Sequence, residues 1–352
     1  YSNYNRDMYP EAAAIAEILT DAQRIVIMQA DNPDGDSLGS ALALEHILGD
    51  MGKDPVLYCG VDVPPYLSYL DGWDRVERDL PIKFDATIIV DTSAMSLFET
   101  LNRSAQKVLV SKKPCIVLDH HAVDLTIPFA TVNCNYPAVA TGEIIYELAQ
   151  QLHWPLNQQA KEMIAISIMA DSLGLITEAT SARSIQIISE LVSGGVSLAN
   201  LEHARRLLMR KSPELTHYKG RLLERVQYHY DDRIATVDIP WDEIETYSPH
   251  YNPSMLVMDD MRMTISTEVA IAFKTYKDGK VTGKIRCNQN APVAADLAGH
   301  FGGGGHVYAS GFKVQDGRPF NEVKSECIRY ASELLDNLKQ ETDHETLQHT
   351  DA

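Results

Sequence analysis

Cysteine is scarce and unpatterned: Cys59, Cys115, Cys134, Cys287 and Cys327 are an odd number, scattered, with no C-x-x-C spacing. That argues against a disulfide framework or a thiolate zinc site and fits a reducing cytoplasm. No run of about 18 apolar residues occurs, so no spanning helix and no membrane partner are expected. Nor does a signal-peptide pattern stand at the start; the chain opens at Tyr1 rather than Met, so a trimmed natural N-terminus is expected. Basic residues are outnumbered, 31 Lys and Arg against 49 Asp and Glu, for a net charge of −18. Non-specific binding to long duplex nucleic acid needs the opposite balance. A short anionic substrate held by a few local cations and metals remains open. Repeats and low-complexity blocks are also lacking.

What is present is an ordinary globular composition in 352 residues, enough for two domains. The organising stretch is Ile25-Val26-Ile27-Met28 running into Pro33-Asp34-Gly35-Asp36-Ser37-Leu38-Gly39-Ser40, followed by a helical period at Ala41, Leu44, Leu48 and Met51. A strand, a carboxylate-bearing loop and a helix are predicted, with Asp34 and Asp36 in extended backbone pointing to one side. Gly35 and Gly39 leave room for tight backbone geometry. Ala86–Val90 runs directly into Asp91-Thr92-Ser93, and Cys115–Leu118 into Asp119-His120-His121. Uniformly apolar strands alternating with helical patterns predict an α/β domain with a parallel sheet covered on both faces. In such sheets ligands bind outside the carboxyl ends of the strands, where three strands here end in acids.

This first domain is expected over 1–195 and a helical connector over 196–225. A smaller mixed α+β domain is expected over 226–340, with an Asp278-Gly279 hairpin turn. The tail at 341–352 is polar and aperiodic and is expected to be disordered. A connector of this kind would let the second domain close over substrate.

Asp34, Asp36, Asp91, His120 and Asp171 supply one imidazole nitrogen and several carboxylate oxygens, a set that suits Mn²⁺ or Mg²⁺ better than zinc. Taken alone, Asp91 could be a helix cap after a strand, and Asp171 alone is a weaker signal still. Together at one sheet edge they fit two cations roughly 3.5–4 Å apart, a clamp for displacement at phosphorus.

The ordered set Pro33-Asp34-Gly35-Asp36-Ser37-x-Gly39-Ser40, Asp91-Thr92-Ser93, Asp119-His120-His121 and Asp171-Ser172-x-Gly174 resembles the four motifs of the DHH phosphoesterases. Gly302-Gly303-Gly304-Gly305-His306 with Ala309-Ser310-Gly311-Phe312 resembles the signature of the DHH-associated domain. Within that family the chain looks like the subgroup of bifunctional oligoribonucleases and pAp phosphatases. The resemblance implies hydrolysis of short oligoribonucleotides or 3'-phosphoadenosine 5'-phosphate by a two-metal hydroxide attack on phosphorus. It implies that Asp34 and Asp91 hold one metal, and that Asp36, Asp91, His120 and Asp171 hold the other. Asp119 would orient the neighbouring histidines, His121 would face the scissile phosphate, and Arg286, Gly303, Gly304, Gly305 and His306 would bind substrate. Partners are then short RNA or a small phosphorylated nucleotide, and a homodimer is compatible with the sequence.

One position departs from the pattern. The family's metal-binding His, three residues before the Pro of the first motif, is Ala30 here. Asp31, Asn32 or a water are the available substitutes, and a weaker first metal site is expected. Two rival readings follow: hydrolysis of linear or cyclic dinucleotides on the same site, and a weakened protein that only binds nucleotides.

Overall fold

The computed structural model describes residues 9–350, with side chains over 9–340. Two compact units part between Arg210 and Lys211, within the stretch expected to join the domains. The helix Leu198–Leu208 falls in the first unit and Pro213–Glu224 in the second, so no connector stands apart from both.

In the first unit, β1 (Arg24–Gln29), β2 (Asp54–Cys59), β3 (Ala86–Val90), β4 (Cys115–Asp119) and β5 (Val132–Asn135) form an all-parallel sheet in the order β2-β1-β3-β4-β5. Successive side chains of a strand face opposite sides, and both sides are buried. Ile25, Ile27, Ile88, Val90, Ile116 and Leu118 pack into one core with Leu42, Ile144 and Ile164. Val26, Met28, Ile89 and Val117 pack into another with Phe84, Phe98 and Val110. This double burial is why the strands read as continuous apolar runs. The edge strand β5, Val-Asn-Cys-Asn, alternates buried and half-buried residues and is too short and polar to announce itself.

The strand order reverses direction between β1 and β3, and the crevice at that switch opens at their carboxyl ends. The helix Gly35–Asp50 follows β1 and packs closely on Gln158–Asp171. A Cβ on Gly35 would lie 2.6 Å from Ala170 Cβ, and one on Gly39 2.9 Å from the Met163 carbonyl oxygen. The tight geometry expected at these glycines is therefore helix-to-helix approach.

The second unit holds β6 (Gln227–His229), β7 (Ile234–Ile239), β8 (Val269–Thr275), β9 (Val281–Cys287), β10 (Gly304–His306) and β11 (Ala309–Val314). They form a mixed sheet in the order β10-β11-β9-β8-β7-β6, parallel only between β7 and β8. Asp278-Gly279 turns β8 into β9, with Gly279 at φ 78°. Helices Ala294–His300 and Phe320–Thr350 help bury one face, around Ile271, Phe273 and Ile285. Pro213–Glu224, Trp241–Tyr247 and Pro253–Arg262 help bury part of the other, around Ala270 and Ala272. The last helix runs to Thr350, through most of the stretch expected to be disordered. That segment lacks Gly and Pro, the two residues least compatible with a helix. The final residues 351–352 of the expected tail lie outside the described residues.

Candidate metal centre

Only Asp34 of the first acidic motif is extended, and the helix begins at the next residue. Asp34 is the N-cap of Gly35–Asp50: its Oδ1 accepts from the backbone N–H of Asp36 (3.1 Å) and Ser37 (3.0 Å), and Ser37 Oγ accepts in return from Asp34 N–H. This reciprocal cap satisfies orphan donors of the first turn and starts the helix at Gly35. Asp34 is exposed, whereas Asp36 is wholly buried.

Asp36 is held from three directions. Its Oδ1 accepts from Ser40 Oγ (2.9 Å) and Ser167 Oγ (2.5 Å), and its Oδ2 from the backbone N–H of Thr141 (2.7 Å). Thr141 is the first residue of Thr141–Leu152, so the positive end of that helix faces the carboxylate. Asp91 sits just past β3 in the left-handed region at φ 64°, a conformation that costs about 1–2 kcal/mol for a residue with a Cβ. Its N–H donates to the Leu118 carbonyl (2.9 Å) and Thr141 Oγ1 donates to its Oδ1 (3.2 Å). Burial, then the negative charge of Asp36, push the Asp91 pKa well up; the nearby His120 imidazole opposes them, and Asp34 adds to the rise.

His120 gathers these groups. Its Nδ1 lies 3.1 Å from the Ala138 carbonyl, which can only accept, so Nδ1 carries a proton. Its Nε2 is buried without a hydrogen-bond partner and lies 3.5 Å from Asp36 Oδ2, 3.4 Å from Asp91 Oδ1 and 3.4 Å from Asp171 Oδ2. Burial lowers the affinity of this ring for a second proton, but Asp171 and Asp91 outweigh it and raise the pKa to about 11. A buried nitrogen aimed at three carboxylates is what a divalent cation with oxygen and imidazole ligands requires. The donor atoms of Asp36, His120 and Asp171 lie within 4.8 Å of one another, as do those of Asp91, His120 and His121. The residues present fit the metal.

Asp119 is buried, and its Oδ1 accepts from His121 Nδ1 (2.8 Å) and His121 N–H (3.2 Å). Burial raises the Asp119 pKa, yet hydrogen bonds from His121 and Ser93 hold it below its usual value. The same bond raises His121. Asp119 thus orients one histidine, not both; His120 is fixed by Ala138. The structure brings Asp36, Asp91, His120, His121 and Asp171 together and leaves Asp34 outside both groups, although its charge reaches Asp91. Asp31, one of the possible substitutes for the histidine absent at Ala30, stands in neither group: its Oδ2 accepts from Thr100 N–H (2.7 Å), and its Oδ1 is buried without a hydrogen-bond partner. Sequence reasoning missed Thr141 and Ser167, whose only trace was a Thr-Gly pair opening a helix.

In the second unit, Arg286 on β9 and His306 on β10 both flank Ala309 of β11 in register, so they share one face of the sheet. Arg286 is half-buried, and His306 is exposed. The glycine run has a packing reason at two positions. A Cβ on Gly303 would strike the Gly311 carbonyl, and one on Gly305, at φ 141°, would lie 2.7 Å from the Ala309 carbonyl. Gly304 meets nothing.

Residues 24–177 match the DHH family, N-terminal domain. The chain is 25% identical over 305 residues to the bifunctional oligoribonuclease and PAP phosphatase NrnA of Thermus thermophilus, covering 84% of this chain and 86% of that one. To the Bacillus subtilis protein of the same name it is 23% identical over 294 residues, 82% and 89% of the two chains. Its fold is similar to that of an exopolyphosphatase-related protein from Bacteroides fragilis, with a TM-score of 0.77 at 20% identity, covering 92% of this chain and 97% of the other.

Proposed function

From the match of residues 24–177 to the DHH family, N-terminal domain, we propose that the chain is a metal-dependent phosphoric ester hydrolase of short oligoribonucleotides and 3'-phosphoadenosine 5'-phosphate. The observation that carries this reading is the buried, unpartnered Nε2 of His120 among Asp36, Asp91 and Asp171. The similarity to relatives named for both activities supports the substrate class.

Asp36, Asp91, His120 and Asp171 would hold one cation, and Asp91 a second together with Asp34, whose charge reaches Asp91 although it stands outside both groups; the hardness of the donors suits Mn²⁺ or Mg²⁺. Such cations supply a lowered water pKa and neutralise charge on the phosphoryl oxygens. The chain's own residues do the placing. Thr141, Ser40 and Ser167 lock Asp36, while Ala138 fixes the His120 tautomer. His121 is half-exposed, and its bond to Asp119 raises its proton affinity, so it can hold a proton at Nε2 facing an anionic phosphate. Arg286 and His306 present donors to the nucleotide's phosphates. Among the described residues no helix is long and apolar enough to cross a membrane, and all five cysteines are free and buried, which supports a reducing, cytoplasmic setting.

The test compares turnover of pAp, RNA of two to five nucleotides and cyclic dinucleotides with added Mn²⁺. The first two are expected to be cleaved. Asp91→Ala and His120→Ala should each lose more than the roughly 10–100-fold typical of an outer-shell ligand partner. Absence of turnover at saturating Mn²⁺, or an Asp91→Ala protein as active as the parent, refutes the proposal. Preference for cyclic dinucleotides would replace the substrate assignment.

A further inference from the structure

The chain immediately after Asp171 is strained in a way that holding a metal does not require. Leu173, Gly174 and Leu175 stand in succession in the left-handed region, at φ 49°, 81° and 70°. That region costs energy for any residue with a Cβ and suits glycine, with Asn and Asp its usual substitutes. Among the described non-glycine residues at positive φ, Leu173 and Leu175 are the only aliphatic ones. A dense set of hydrogen bonds holds the turn. Leu173 N–H donates to the Ala170 carbonyl (3.2 Å) and Gly174 N–H to that of Met169 (2.9 Å). Wholly buried Ser172 takes the rest: its Oγ accepts from Leu175 N–H (2.8 Å), and its carbonyl from the N–H of Ile176 (2.8 Å) and Thr177 (3.2 Å).

Leu175 packs against the core of the first unit, but Leu173 is 69% exposed and Ile176 81%. A rigid, costly turn thus presents two branched apolar side chains to solvent, and strain of this kind persists where it serves a ligand. Two residues span at most about 7 Å of chain, so Leu173 lies on the rim of the donor group that Asp171 shares with Asp36 and His120. Between the two side chains the ground is open: a Cβ on Gly174 would meet nothing within 4 Å. The turn has no cation for a phosphate, since from Ser172 to Ala182 the only ionisable side chain is Glu178. Its Thr177 and Thr180 hydroxyls are engaged with each other at 3.2 Å. What these side chains offer a ligand is apolar contact, without hydrogen bonds that could read a base edge.

We propose that Leu173 and Ile176 form an apolar seat for the nucleobase of the nucleotide whose phosphate occupies the metal centre. This rests on the phosphoesterase reading and deepens it: every base has an apolar face, so the seat adds affinity for all four and selects none.

The test is fluorescence anisotropy of the full chain in Mn²⁺ with two labelled, hydrolysis-resistant phosphorothioate dinucleotides, one carrying adenines and one abasic. The parent is expected to bind the adenine probe at least about tenfold more tightly than the abasic one, and probes with the other three bases within about threefold of adenine. Leu173→Gly and Ile176→Ser should each weaken the adenine probe roughly three- to tenfold, as for partial burial of one aliphatic side chain. The abasic probe should change less than about twofold, and so should Mn²⁺ affinity by titration calorimetry; Leu173→Met should bind both probes as the parent does. Glycine also releases the strain, so Leu173→Gly is expected to unfold at higher urea in EDTA while holding the base more weakly, a split that a purely structural leucine would not give. Equal losses on the two probes, a parent that binds them alike, or a lower urea midpoint with discrimination intact overturns the proposal. If the variants instead dissolve a self-associated form seen by light scattering and still discriminate, the turn is a contact between copies and the proposal falls. If discrimination is lost in the variants while no phosphoester is hydrolysed, the seat stands and the enzymatic reading falls. If phosphoesters are hydrolysed while parent and variants discriminate alike, the enzymatic reading stands and the seat falls.

Discussion

Ser167→Ala isolates what the fold does for the metal centre without touching a ligand. Ser167 is wholly buried on Gln158–Asp171; its Oγ donates to Asp36 Oδ1 (2.5 Å) and accepts from Gly142 N–H (3.0 Å). Alanine removes a hydrogen bond to a carboxylate, about 1.5–3 kcal/mol. It also leaves the Gly142 N–H buried without a partner, about 1–3 kcal/mol more. Water cannot easily replace the hydroxyl, because Gly39 and Gly142 bring backbone against this side chain. A loss of about 3–5 kcal/mol is therefore expected for the first unit, read by urea denaturation in EDTA. Freed from one donor, Asp36 should also bind Mn²⁺ roughly 10–100-fold more weakly by titration calorimetry. Ser40→Ala is the control, since Ser40 Oγ gives Asp36 a single bond (2.9 Å); it should cost about half as much. A Ser167→Ala protein within about 0.5 kcal/mol of the parent, with unaltered Mn²⁺ affinity, refutes the claim that this hydroxyl sets the ligand, because surface changes alone stay in that range.

Asp119→Asn should lower the His121 titration midpoint, followed by NMR of the metal-free protein; an unmoved midpoint would remove Asp119 as the orienting group. The raised His121 contributes stability below its unfolded pKa of about 6.5 that fades as pH rises through its folded value, while the depressed Asp119 contributes above about 3.9 and fades on acidification. The pair is thus most stabilising between about pH 4 and 6.5, so the variant should lose most stability inside that window and change less as pH leaves it on either side. Ala30→His should tighten Mn²⁺ binding at least about tenfold, because Asp31 is engaged with Thr100; no change would undercut the alignment of the first motif. Gly303→Ala should destabilise the second unit by more than about 2 kcal/mol through its clash with the Gly311 carbonyl and Phe312, whereas Gly304→Ala should change stability by less than about 0.5 kcal/mol.

The parallel sheet and its acidic edge were legible because both follow from local pattern. Uniform apolar runs imply strands buried on two faces, and a strand that ends in Asp or His delivers it to the edge where ligands bind. Asp91, Asp119, His120 and His121 could therefore be placed from the sequence. Asp34 and Asp36 were misjudged because alternation presumes a strand, whereas the Asp34–Ser37 cap starts the helix one residue after Asp34. An Asp shortly before a helical period is the signal for an N-cap, and Asp34 carries it.

The groups that hold the ligands in place lie beyond any local pattern. Asp36 meets Thr141 across 105 residues and Ser167 across 131, and His120 is aligned by a backbone carbonyl, which carries no residue identity at all. Such contacts exist only once the helices Gly35–Asp50, Thr141–Leu152 and Gln158–Asp171 have packed, and Gly39 and Gly142 permit that closeness against Ser167. The motif glycines and the motif acids are consequently one device: the first let the helices approach, and the approach supplies the donors that fix the second. A substitution at Gly142 should then impair Mn²⁺ binding as Ser167→Ala does, although residue 142 bears no ligand, because its Cβ would displace the Ser167 hydroxyl from Asp36.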